Sequence, residues 1–450
     1  MTEINNFIDK LLDKAKQQGI EESEAFYIEG ESFRVMVNNG QVAEYSVNTN
    51  SGLSFRAKIN GQIGYSYTQA FDDEAIDMLI KQVKENSEIL EVKDEQFIFK
   101  GSKQYSPLVT YIEKLDEASP EQKIQLALDL EQMCLKADEH IKSVAYCLVQ
   151  SGSSNTTIKN SSGLNLNFKA NGAAAFVMPV AVDGEKSYRG GYAINIEDFD
   201  NVDTETLINT SVERALSQFG GKPVESGTYN IVFEYECAGD LLQTFSTIFS
   251  AESTQKGYSL LAGKEGETIA SSIVNIIDDP LHEKGPDSSP FDDEGVATYK
   301  KSVVENGVLK TLLHNLKTAH KANTLSTGNA SKGAYNAPVE ISPSNFYIEP
   351  KENTLGQLLE SLGDGLMITD LAGLHAVNTT SADFSLSAKG FVIKNGKKTE
   401  AVEQITISGN FYDFLKNIIM IANDLEYGKI QTSSIASPSL LVKDICVAGL

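Results

Sequence analysis

Apolar residues recur at helical spacing at the start of the chain, where Ile4, Phe7, Ile8, Leu11, Leu12 and Ala15 mark one face of an amphipathic helix. From Ala25 to Tyr67 the pattern changes to the alternation of half-buried strands, and a second helix is predicted to begin near Asp73. Tight-turn dipeptides punctuate the alternating stretches at Asn39-Gly40, Asn60-Gly61, Asp183-Gly184, Asn306-Gly307 and Asn395-Gly396. Asn-Gly and Asp-Gly suit the type I′ turn because both of its central positions take positive φ. The pattern therefore predicts an α+β fold. Its sheets are mostly antiparallel, built from hairpins with flanking helices, and an N-terminal α/β segment precedes a larger C-terminal α+β domain.

Boundaries follow from breaks in this pattern. Residues 1–90 form a first α+β segment, and an acidic, irregular connection covers 91–118. A middle segment, 119–221, opens on a strong helix start: Ser119 as N-cap, Pro120 at the first helical position and Gln122 completing a capping box. It closes with a helix from about Asp203 that stops at Gly220-Gly221, with Pro223 just beyond. The third segment, 228–450, reads as a strand (TYNIVFE) running into a helix (CAGDLLQTFSTIFSAE), then a long polar loop from Gly257 to Thr298, then alternating strands and helices. Loops of that length inside a domain are more often functional than idle.

Charge narrows the possible partners. The 450 residues carry 38 Lys+Arg against 62 Asp+Glu, a formal net charge of −24. No run of basic residues offsets it, so a phosphate backbone or an anionic membrane would be repelled. Nowhere do about 18 apolar residues run together, and acidic residues interrupt the N-terminal stretch, so neither a membrane span nor a signal peptide is expected. The four cysteines, Cys134, Cys147, Cys237 and Cys446, are widely spaced, as expected of reduced, mostly buried thiols. These features point to a soluble, cytoplasmic protein without direct nucleic-acid or membrane contact.

Common catalytic signatures are absent. There is no GxSxG elbow, no phosphate loop and no strand-linked GxGxxG. His282-Glu283 begins like a zinc motif, but Pro286 would break the helix that must align two histidines. His314 and His320 lie six positions apart on a predicted helix and point to different sides. The informative place is the strand-to-helix junction, where Tyr235, Glu236, Cys237, Ala238, Gly239 and Asp240 enter a helix with an apolar stripe. From the residues alone it reads as a packed helix whose first turn carries acids, as the helix dipole favours.

Four stretches carry a resemblance to a known family: PFDDEGV at 290–296, GVLKTLLHNLKTAHKANTLSTGNA at 307–330, GLHAVNTTSADFSLSAKGFVIKNGK at 373–397, and SPSLLVKDICVAG near the end. They resemble the TldD/PmbA proteins (PmbA is also called TldE) over essentially the whole chain. In that family the TldD-type subunit carries HExxxH at a strand–helix junction and resembles a zinc peptidase acting on unfolded or small peptides. The TldE/PmbA-type partner lacks the motif, and GLHAVNTTSADFS is similar to that type. Aligned on the retained Glu and Gly, Tyr235 and Asp240 stand where the histidines would be, and Glu236 stands at the general-base position. Tyrosine, with a pKa of about 10, is a poor zinc ligand at neutral pH. Ala382 departs from the glycine usual before Asp383, which bears on a tight backbone conformation there.

The resemblance thus implies a metal-free subunit that supplies chamber wall and peptide contacts, with no cofactor of its own. A TldD-type partner would bring the zinc and the hydrolysis, in a heterodimer or, for this chain in isolation, a homodimer. The family's label as a modulator of DNA gyrase implies an indirect route through peptide or protein turnover. Glu236 is the candidate catalytic position. The loop Asp292-Asp293-Glu294 is open to three readings: metal loop, solvated turn, or contact with peptide or partner. Ser326, Thr327 and Asn329, with His375, Asn378, Ser381 and Asp383, are polar runs that either line a cleft or subunit interface or form hydrogen-bonded structural loops. Two rival functions stay open. One is a self-sufficient homodimeric metallopeptidase binding metal through Glu236, Asp240, Cys446 or the Asp292–Glu294 loop; the other is a non-enzymatic peptide- or protein-binding module.

Overall fold

Helix α1 (Thr2–Gln17) precedes a meander of strands β1 (Glu22–Asn38), β2 (Gln41–Ile59) and β3 (Gln62–Thr68), and helix α2 (Asp73–Ile89) follows it. The structure, a computed structural model, describes residues 2–89, 97–427 and 434–450, so the first part of the predicted connection (91–96) lies outside the described residues. Ile8, Leu11 and Ala15 of α1 form one buried cluster with Leu79, Ile80 and Val83 of α2 and Ala25, Leu53 and Phe55 of the sheet. The predicted stripe is thus the buried one.

The middle segment begins at the predicted cap: Ser119 Oγ accepts a hydrogen bond from Gln122 N at 3.2 Å, and Pro120 opens helix α3 (Pro120–Ala137). The capping box expected from Gln122 is not completed, because its Nε2 donates to Asp200 Oδ1 at 2.8 Å instead. Strands β4 (Ile141–Asn160), β5 (Asn165–Asp183), β6 (Lys186–Arg189) and β7 (Tyr192–Ile196) follow, then helix α4 (Thr204–Leu216), capped by Asp203. All seven strands belong to one sheet of order β3-β2-β1-β4-β5-β6, with β7 also on β5. Antiparallel pairing of β1 with β4, from Glu24↔Asn160 to Met36↔Leu148, carries the sheet across both segments.

One face of this sheet holds two helix pairs. Helices α1 and α2 cover Ala25, Leu53 and Phe55, while α3 and α4 cover Val35, Val37, Val149 and Val177. At the four Asn-Gly turns both residues have positive φ, as at Asn39 (54°) and Gly40 (70°). The fifth turn differs. Asp183 pairs with Lys186, so Gly184-Glu185 are the central residues, and Gly184 (φ 60°) begins a turn of the II′ pattern.

The C-terminal domain opens with strand β8 (Gly227–Phe233) and helix α5 (Tyr235–Phe245). Strand β8 lies inside a six-stranded sheet, parallel to the strand Gly365–Ala372 and antiparallel to Leu440–Ala448. A five-stranded sheet centred on Ile276–Asp278 stands beside it, so the long polar loop expected from 257 to 298 contains a buried strand. Leu241, Leu242 and Phe245 of α5 join Phe233, Phe346, Phe384 and Phe411 in the largest core. The architecture is α+β with mostly antiparallel sheets, as the turn pattern predicts. His314 is the exception to its local reading: it precedes the short helix Leu316–Lys321 and is buried.

The C-terminal domain is tied to the seven-stranded sheet by a buried charge. Arg56 on β2 is 5% exposed; its Nε lies 2.8 Å and its Nη2 2.7 Å from Glu24 Oε1, and Nη1 lies 3.6 Å from Glu294 Oε1. Lys332 Nζ sits 4.1 Å from the centre of the Phe26 ring on β1. Removing one partner of a buried ion pair leaves the other charged and desolvated. Arg56→Leu is therefore expected to lower unfolding stability by about 3–5 kcal/mol, measured by urea denaturation, whereas substitution of the exposed Lys81 is expected to change it by less than about 0.5 kcal/mol.

Candidate functional site

Strand β8 turns apolar and buried only at Ile231, Val232 and Phe233, and Glu234 then turns the chain into α5 with extended backbone (φ −62°, ψ 154°). This junction places Glu234, Tyr235, Glu236 and Asp240 on the wall of a cleft of about 780 Å³. The middle segment supplies the facing wall through Tyr192, Arg214, Ser217 and Gln218, and Asp370 and Lys389 close a third side. Gly190 lets the connection between β6 and β7 press against α4 within the middle segment. A Cβ there would lie 2.2 Å from Ala215 N and 2.6 Å from Ser211 O, both on α4.

Arg214 dominates the polar geometry. Its Nη1 donates to Glu236 Oε2 at 2.7 Å and to the Gly191 carbonyl at 2.9 Å, and Nη2 donates to the Tyr235 hydroxyl at 3.4 Å. The guanidinium lies 4.9 Å from the centre of the Tyr192 ring, a cation–π contact. Tyr235 in turn donates to Glu236 Oε1 at 3.0 Å. Burial, reinforced by the Glu236 charge, raises the Tyr235 phenol well above its ordinary value. Burial pushes the Glu234 carboxyl up to about 7. Asp240 is pushed up to about 6 by burial, then by the charges of Glu236 and Asp370. Asp370 is raised by burial as well.

This donor set does not fit zinc. Tyr235 keeps its proton and spends it on Glu236, while Arg214 places a permanent positive charge against Glu236. Among the described residues, no group of three or more His, Cys, Asp or Glu is arranged to hold a metal ion. The rival sets named from sequence are also not assembled. Cys446 pairs with Thr228 at the start of β8, whereas Glu236 and Asp240 follow its end, about 16 Å along the strand.

Of the residues singled out from sequence for catalysis or contact, only Glu236 lines the cleft. The acidic loop is internal. Asp292 Oδ1 accepts from Glu294 N and Val296 N and Oδ2 from Ala330 N, while Asp293 Oδ2 accepts from Lys332 N. Glu294 Oε2 accepts from Leu316 N at 2.8 Å, on the side away from Arg56. Thr327 and Asn329 are buried too, and Asn329 joins Thr327 to the buried Asp278–Lys301 ion pair. Ser326 Oγ donates to the His314 carbonyl.

The second polar run is a solvent-facing bend. His375 is exposed, Asn378 Oδ1 accepts from Thr380 N and Ser381 N, and Asp383 Oδ1 accepts from Asn410 Nδ2 at 2.9 Å. Ala382 holds a left-handed backbone (φ 64°) without glycine, with its methyl group buried. Sequence reasoning missed Arg214, Glu234, Gln218 and Asp370. Glu234 alone left a local signal, as a second acid ending an apolar strand.

Comparison with known proteins agrees with the fold. Family models match three parts of the chain: PmbA/TldA metallopeptidase domain 1 over residues 23–87, the central domain over 113–219 and the C-terminal domain over 226–449. The chain belongs to the PmbA/TldD metallopeptidase family. A protein of Thermotoga maritima described as a modulator of a DNA gyrase superposes with a TM-score of 0.92 at 32% identity, covering 99% of this chain and 100% of the other. TldE from Thermococcus kodakarensis shares the fold, with a TM-score of 0.88 at 20% identity over 98% of this chain and 100% of its own. A metalloprotease of Methanothermobacter thermautotrophicus is 27% identical over 88% of this chain and 86% of its own length. No described helix is long and apolar enough to cross a membrane.

The partly buried Glu234 of this PmbA/TldD cleft makes stability depend on pH. Glu234 has a folded pKa of about 7, above its ordinary 4.5, so the folded state retains the proton more strongly. Stability is therefore expected to fall as pH rises from about 4.5 to 7, with the Glu234 share reaching at most about 3 kcal/mol. Glu234→Gln should flatten that part of the slope in urea melts across this range.

Proposed function

We propose that this chain is the metal-free, hydrolytically silent member of a two-subunit peptidase working in the cytoplasm. Its partner is a TldD-type chain that brings the zinc and cleaves the peptide bond. This chain contributes scaffold, chamber wall and contacts to unfolded or small peptides through the cleft between α4 and α5. The supporting observation is Arg214: a guanidinium, not a metal, neutralises the acid at the general-base position. A guanidinium has donors only and no open coordination position where a water could be acidified. Glu236, with both oxygens accepting hydrogen bonds, then acts as an anchor between the two domains and not as a base. The Thermococcus protein of the same fold carries the TldE name, which agrees with this role. A self-sufficient homodimeric peptidase has less support, because none of its metal sets converges.

The test is co-expression with a TldD-type chain, followed by peptide cleavage assays on each chain alone and on the mixture. The isolated chain is expected to bind no stoichiometric zinc and to cleave nothing, with activity appearing in the mixture. Stoichiometric zinc in the isolated chain, together with cleavage lost in Glu236→Gln, would overturn the proposal. Full activity from the partner alone would remove any required role for this chain.

A further inference from the structure

Part of β2 is an open sheet edge. On the Gln41 side of Gly52 the strand keeps its regular ladder with β1, from Met36↔Glu44 to Glu29↔Ser51, whereas β3 pairs only with residues 53–59. The Ser51 carbonyl accepts from Gln69 Nε2 at 3.2 Å on the outer side. Backbone groups alternate in direction along a strand, so the N–H and C=O of Tyr45, Val47 and Thr49 also point outward. Among the described residues they meet no backbone partner there. By contrast, β3 and β6 are guarded edges. Helix α2 lies against β3, where Asn86 Nδ2 donates to the Tyr65 carbonyl at 2.7 Å, and β6 is four residues long with Lys186 and Arg189 on it. The open stretch 44–50, EYSVNTN, has no lysine and no proline. Its one charge, Glu44, stands 3.9 Å from Arg34 Nε, and Tyr45 and Val47 are 50% and 56% exposed. An exposed, regular and largely uncharged edge is a template for another strand.

We propose that two copies of the isolated chain join through this edge, antiparallel about a two-fold axis at Val47, so that their seven-stranded sheets become one. The second copy is the occupant because the edge is its own complement. Outward-pointing residues must oppose outward-pointing residues, and the regular run 44–50 is centred on Val47. That register sets Val47 against Val47, Tyr45 against Thr49, Ser46 against Asn48 and Glu44 against Asn50. Aromatic and β-branched residues pair favourably across strands, and no like charges are opposed, although each copy carries a net charge of −24. This edge takes no residue from the cleft between α4 and α5, so the pairing stands or falls apart from peptide contact.

The test is sedimentation velocity on the full-length chain, with Val47→Lys and Val47→Glu measured separately and then mixed in equal amounts. The unaltered chain is expected to sediment as a dimer. Each variant alone sets a like charge against itself across the axis and should weaken dimerisation at least about tenfold. The mixture should recover the dimer, because opposite charges then meet. Val47 is exposed, so the far-UV circular dichroism spectrum should be unchanged in both variants. Val47→Pro is a further check: it removes an outward N–H, leaves the ladder with β1 intact and should also give monomer. A monomeric unaltered chain would overturn the proposal. So would variants that dimerise as tightly as the unaltered chain, since the contact would then lie on another face. A mixture of folded variants that stays monomeric would overturn the pairing at Val47.

Discussion

Burying a guanidinium is costly unless carboxylates surround it, and Arg56 imposes that requirement on the whole chain. Its partners are far apart in the sequence: Glu24 from β1 and Glu294 from the loop after the buried strand Ile276–Asp278. Glu294 is held by Leu316 N, Asp292 by Ala330 N and Asp293 by Lys332 N, so satisfying Arg56 draws residues 290–332 onto the sheet face. The C-terminal domain can then meet the sheet in one arrangement. Farther along the molecule, that arrangement brings α4 against the start of α5 and encloses the cleft.

The cleft repeats the theme with a weaker, less buried charge. Arg214 crosses from the middle segment to Glu236 in the first turn of α5, so one ion pair joins two domains and neutralises Glu236. A guanidinium fixes direction through its planar donors, whereas a metal would supply open coordination positions. The price of this arrangement is carried by the remaining acids: Glu234, Asp240 and Asp370 are all held above the ordinary carboxylate range.

Local features were legible where one short window carries the whole signal. Ser119-Pro120 begins α3, the Asn-Gly pairs make I′ turns, and the stripe of α1 is the face that packs. The Asp183-Gly184 turn shows the limit, because strand pairing sets which two residues are central. The polar runs stayed open between two readings for a related reason. Asp292, Glu294, Thr327 and Asn329 are chemically fit for a cleft, yet their partners are backbone amides, Arg56 and the Asp278–Lys301 pair buried inside the C-terminal domain.

By itself the sequence determined the α+β class, the hairpins, the starts of α2, α3 and α4 and the family, and it located Glu236 at a strand–helix junction with Tyr235 and Asp240 beside it. Those properties depend on neighbours within a few residues, or on motifs read in line. Tertiary structure alone decided that Arg214 stands against Glu236, that Gln218 and Asp370 share its cleft, and that the acidic loop faces inward. Each of these joins residues from separate elements, and which charges meet depends on how whole elements pack, a matter of long-range burial and desolvation that no local pattern encodes.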